Sequence, residues 1–176
     1  MKALLAVCVL LATPAFAADE QGMAKAVEGF YAVHQASDQD GLPDAALRAR
    51  YAPYISPALD KLLGDASAAQ DRFARKLKNA PPMFEGDLFS PSFDGISTFK
   101  VGACATDANG AHCAVALHYT PKNPRPQDKP LDWSDTIYLV DVGGSWRVND
   151  IAFGANRDPG NPGRLSDVLK SAISDG

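Results

Sequence analysis

The chain reads as an α+β domain: N-terminal helices packed on a curved antiparallel sheet of about four strands, followed by a short C-terminal helix. Three observations predict it. In the first half, apolar residues recur at helical spacing, with Met23, Val27, Phe30, Tyr31 and His34 on one stripe. From Pro81-Pro82 onward they move into runs rich in β-branched and aromatic types, separated by turn residues. Leu165, Val168, Leu169 and Ile173 then return to helical spacing.

Taken in order, residues 20–36 form an amphipathic helix that stops at Asp38-Gln39-Asp40-Gly41. A short helix runs from Pro43 to Tyr51, and Ser56-Pro57 supplies an N-cap and a first-turn proline for a third. Leu59, Leu62, Leu63, Ala66, Gln70, Phe73 and Leu77 trace one face of that third helix, with Gly64 its weak point. Strands are expected at 97–106, 111–120, 133–142 and 145–153. Gly143-Gly144 joins the last two, because both positions accept the positive φ of a two-residue hairpin turn. PKNPRPQDKP, with prolines at 121, 124, 126 and 130, is a semi-rigid surface loop rather than a linker.

The first seventeen residues, MKALLAVCVLLATPAFA, have the form of a secretory signal: a basic start at Lys2, an apolar run, and a small-x-small site at Ala15-Phe16-Ala17. The run is too short to span about 30 Å of hydrocarbon, and no second long apolar stretch follows. Residues 1–17 are therefore expected to be removed, leaving 18–176 as a single exported domain, periplasmic or secreted, without a stable membrane anchor. Cys8 is not read as a lipidation site, since Val7 stands before it where a small residue is needed. Loss of Lys2 takes the formal charge from −4 to −5, and no Lys/Arg run appears, which argues against a nucleic-acid partner.

Cleavage also removes Cys8 and leaves Cys104 and Cys113 in an oxidising compartment. They flank Asp107-Ala108-Asn109-Gly110, a turn-rich tetrad that places them opposite each other across a hairpin, so they are expected to form a disulfide. Their spacing fits neither a Cys-x-x-Cys redox pair nor a zinc knuckle.

Counting back from the Gly143-Gly144 turn, Asp141 faces Trp146, Leu139 faces Val148 and Ile137 faces Asp150. Trp133, Asp135, Ile137, Leu139, Trp146, Val148 and Asp150 then share one face, with Asp135 and Asp150 as diagonal neighbours about 7–8 Å apart. Two carboxylates beside aromatics suit acid/base work, which makes Asp135 and Asp150 the catalytic candidates. The alternative is that they cap strand ends or pair with Arg147, Arg157 or Arg164 at the rim. Asp87 is a candidate site residue or an Asx turn. His34 is a candidate general base at the pocket mouth beside Tyr31, or a helix-end cap. Asp38, Asp40, Gly41 and Asp44 match part of a calcium loop, but Ala36 and Leu47 stand where its first and last ligands belong, so no metal is expected. His112 and His118 are roughly 20 Å apart on one strand and cannot share one either. No Gly-x-Ser-x-Gly elbow, phosphate-binding glycine loop or His-Glu-x-x-His helix is present, and no cofactor is expected.

Tyr54-Ile55-Ser56-Pro57-Ala58-Leu59, Glu85-Gly86-Asp87-Leu88-Phe89, Trp133-Ser134-Asp135-Thr136 and Trp146-Arg147-Val148-Asn149-Asp150-Ile151 resemble a group of small exported bacterial proteins, a domain of unknown function within the nuclear-transport-factor-2-like, cystatin-like superfamily. The resemblance covers nearly all of residues 18–176 and implies a cone with an apolar pocket between sheet and helices. It implies no single chemistry, since that scaffold hosts enzymes and binders alike. The leading expectation is a non-catalytic exported protein binding a small apolar molecule or a periplasmic protein, as in an immunity-type or accessory role, with Tyr31, Asp87, Trp133 and Trp146 at the ligand. The competing expectation is a cofactor-free isomerase- or dehydratase-type enzyme using Asp135 or Asp150. A third is a scaffold that homodimerises through the exposed sheet face.

Overall fold

The computed structural model describes residues 15–37, 39–122, 124–125, 128–154 and 163–176, with side chains in the first helix from Asp19 onward. Most of the expected signal segment, along with Asp38 and Arg157, lies outside the described residues.

Helix α1 (Ala15–Gln35) buries Met23, Val27, Phe30 and Tyr31, the stripe its spacing predicts. Helix α2 (Ala45–Tyr51) is capped by Asp44, whose carboxylate accepts the Leu47 N–H at 2.8 Å. Helix α3 (Pro57–Lys76) starts as expected: the Ser56 hydroxyl accepts the Leu59 N–H at 3.0 Å and Pro57 occupies the first turn. Gly64 does not interrupt it. Arg48 reaches across that glycine to Asp60, Nε to Oδ1 3.0 Å, and a Cβ on Gly64 would lie 3.0 Å from the guanidinium. The glycine thus makes room for the contact between α2 and α3.

Four strands follow, β1 (Thr98–Asp107), β2 (Gly110–Tyr119), β3 (Leu131–Asp141) and β4 (Trp146–Ala152), in an open antiparallel sheet of order β1-β2-β3-β4. Helix α4 (Leu165–Asp175) packs on α3 and β4 with Leu165 and Leu169 buried. Cys104 pairs with Cys113 in the β1–β2 register, and the two form the expected disulfide. One end of the core is aromatic: the Phe30, Tyr51 and Phe89 rings lie with centroids 5.2 Å apart pairwise.

Gly143 and Gly144 both have positive φ, and Asp141 faces Trp146 and Leu139 faces Val148, as counted from the turn. Beyond that point the expected register fails. Asn149 is an extra residue in β4, so Tyr138, not Ile137, faces Asp150, and Ile137 faces Ile151. Cross-strand partners share a face, and a one-residue slip sends every later side chain to the other side. Asp150 therefore joins Tyr138 on the face opposite Asp135 and Ile137. The two aspartates are not diagonal neighbours.

Asp150 serves structure instead. Its carboxylate accepts the Ser166 N–H (3.0 Å) and hydroxyl (2.9 Å) at the start of α4, accepts the Ile151 N–H (2.9 Å), and faces Arg164 at 3.4 Å. Arg164 in turn lies 4.0 Å above the Tyr138 ring. The outer edge of β4 is covered by the chain before α3, where Ser56 N–H donates to Val148 O and Val148 N–H to Tyr54 O. Those bonds fix α3, and through it α4, to the sheet.

Candidate functional site

A cleft of about 540 Å³ opens where the end of α1 meets the loop before β1 and the end of β2. His34, Gln35, Asp87, Asp94, Ser97 and Thr120 are among its lining residues, which are mostly polar. Its walls are tied together locally. Gln35 Nε2 donates to Ser97 O at 2.7 Å, the Thr120 N–H donates to the Ser97 hydroxyl at 2.9 Å, and Ser97 N–H donates to His118 O at 2.7 Å.

His34 and Asp87 meet in this cleft. Nε2 of His34 lies 2.9 Å from Oδ2 of Asp87, with the two side chains 13% and 5% exposed. Each is oriented from behind. The other Asp87 oxygen accepts the Phe89 N–H at 2.8 Å, and the Asp87 N–H donates to Phe93 O at 3.0 Å. Gly86 (φ 69°) and Gly95 (φ 80°) shape this loop, and a Cβ at Gly95 would stand 3.1 Å from the carboxylate. On the other side, the Tyr51 hydroxyl is 3.3 Å from His34 Nδ1. Burial, with Asp87 adding to it, pushes the Tyr51 phenol well above its ordinary range, so it keeps its proton and donates. With its hydrogen on Nε2 the ring donates to Asp87 and accepts from Tyr51.

A second buried carboxyl lies on the sheet. Asp135, 2% exposed on the inner face of β3, accepts the Gly154 N–H at 2.7 Å. Burial pushes its carboxyl up to about 6. Hydrogen bonds from Gly154 and the Trp133 indole oppose the rise, and the Asp87 charge adds to it. Tyr31, fully buried one turn before His34, is raised well above its ordinary value by burial first, then by Asp135, Asp87 and Tyr51.

No protein-family model matches the chain, and none of the curated proteins is similar to it.

Of the residues expected at the ligand, Asp87 lines the cleft; Tyr31, Trp133 and Trp146 do not. Trp133 is in the core, and Trp146 packs over Gly22 of α1, where a Cβ would come within 2.9 Å of the indole. The cleft is polar, and Phe30, Tyr31, Phe89 and Trp133 belong to the buried core. Asp135 and Asp150, on opposite faces, do not line it. Asp44 is spent on the α2 cap, His118 on Asp132 (2.7 Å) and Thr120 (2.8 Å), and among the described residues no three His, Cys, Asp or Glu side chains gather as for a metal. The sequence marks His34 and Asp87 singly, each as a candidate. Their pairing across 53 residues left no local signal.

Proposed function

We propose that the chain is an exported protein of the nuclear-transport-factor-2-like kind that binds a small polar molecule in the cleft beside His34 and Asp87. The observation that carries this reading is the His34–Asp87 pair itself, two nearly buried ionisable side chains held 2.9 Å apart where a concave polar space begins. The polar lining favours a hydrogen-bonding ligand over the small apolar one expected from the sequence. Binding is preferred to turnover because both ring nitrogens of His34 already have partners, so taking a substrate proton requires one of those bonds to break.

Support for export is the signal-like first seventeen residues, with the Cys104–Cys113 disulfide as a compatible feature. Expression in a bacterial host followed by fractionation tests it. The product should appear in the periplasm with Ala18 as its first residue, and a cytoplasmic product retaining Met1 would refute export. Native mass spectrometry of the periplasmic protein tests binding. Wild type should carry a small polar adduct that is lost in His34→Gln, and an adduct retained by that variant would place the ligand elsewhere.

One observation favours a second reading, cofactor-free acid/base catalysis: a histidine–carboxylate pair reaches a cleft. Turnover would show as new product signals when the recovered ligand is incubated with fresh protein, whereas a binder returns it unchanged.

A further inference from the structure

Tyr31 is fully buried on the inner stripe of α1, its ring stacked on Phe99 at a centroid distance of 5.2 Å and edge-on to Phe30 at the same distance. That packing accounts for an aromatic ring here. It does not account for the hydroxyl. Among the described residues, no protein group hydrogen-bonds the Tyr31 oxygen. Native interiors nearly always give a buried O–H a partner, supplied by a bound molecule when the protein has none to offer.

The neighbours that act on this phenol are Asp135, Asp87 and Tyr51, in falling order of influence. Two of the three are committed elsewhere. Asp87 holds His34 and the Phe89 N–H, and Tyr51 holds His34. Asp135 uses Oδ1 for the Gly154 N–H, and its Oδ2 is buried with no hydrogen-bond partner among the described residues, which leaves an acceptor to be met.

We propose that a hydroxyl group from outside the protein, that of a water or of a bound ligand, sits between Tyr31 Oη and the Asp135 carboxyl, forming a buried subsite. A hydroxyl accepts from the phenol and donates to the carboxyl, so one neutral group satisfies both. An anion would meet two carboxylates. A cation would demand a fully ionised Asp135 where burial opposes ionisation. Tyr31 does not line the cleft, so the subsite stands apart from the reading of the cleft as a binding site.

A crystal structure of the protein with ordered solvent tests the proposal, alongside thermal melting of Tyr31→Phe. The expected density is an oxygen within hydrogen-bond distance of both Tyr31 Oη and Asp135. An isolated peak identifies water, and density continuing toward the cleft identifies a ligand hydroxyl. Tyr31→Phe should lose the peak and melt about 2–4 °C lower, a drop typical of one lost hydrogen bond in a chain of this size. A Tyr31 hydroxyl bonded directly to a protein group, or with no oxygen beside it, would overturn the proposal. So would a Tyr31→Phe melting point equal to or above that of wild type, since an unpaired hydroxyl has no bond to lose. If the variant does not fold, the wild-type density alone decides.

Discussion

Truncating Asp87 removes the partner of two donors, the Nε2–H of His34 and the backbone N–H of the buried Phe89. Asp87→Ala is therefore expected to lower stability by about 2–3 kcal/mol in urea unfolding, since a buried donor without a partner costs about 1–3 kcal/mol. In the His34→Gln background the loss should be smaller, because one of the stranded donors has changed. Equal losses in the two backgrounds would mean that the pair does not interact energetically. Asp135 makes a separate prediction in pH. Its carboxyl rises from the ordinary 3.8 to about 6 on folding, so the folded chain holds a proton that the unfolded chain has released. Its contribution to stability is then full below about pH 4 and is lost as pH climbs through 6. The rise is worth about 3 kcal/mol at most. Relative to Asp135→Asn, wild type should lose stability between pH 4 and about 7, and a constant difference across that window would contradict the assignment.

Elements stand or fall on a few junctions. Ser56 caps α3 through Leu59 while its hydroxyl donates to Asn149 Oδ1 at 2.7 Å, which ties the helix start to the bulge in β4. Ser56→Ala is expected to cost about 1–2 kcal/mol, the upper part of the usual cap range, measured as a shift in unfolding midpoint. A negligible shift would mean the junction is held by the Val148 backbone bonds alone. At the other end of the sheet, replacing both Cys104 and Cys113 by Ala should cost about 3 kcal/mol on the chain-entropy estimate for a short loop. These junctions also mark what could be read in advance. The Ser56-Pro57 cap, the Gly143-Gly144 turn and the Cys104–Cys113 register follow from local residue chemistry, and the structure carries all three. The bulge does not follow. Arg147-Val148-Asn149-Asp150 has no glycine or proline to announce an extra residue, and strict alternation placed Asp150 on the wrong face.

In the molecule as a whole, the order of helices, four antiparallel strands and final helix was legible because each element obeys its own hydrophobic period. The site was only half legible. His34 and Asp87 belong to different segments, and their meeting depends on how α1 crosses the sheet and where the 86–95 loop turns back. Whether the space between helix and sheet is open or filled depends equally on tertiary packing. Here Phe30, Tyr31, Phe89 and Trp133 belong to the buried core, and a cleft opens at a polar rim. Amide chemical-shift mapping of residues 18–176 probes a ligand site at that rim. Amino acids, monosaccharides and polyamines added in turn should include at least one whose shifts cluster at Gln35, Asp94, Ser97 and Thr120, and that response should vanish in Asp87→Asn. Shifts confined to the outer sheet face, or no saturable response to any of these compounds, would contradict it.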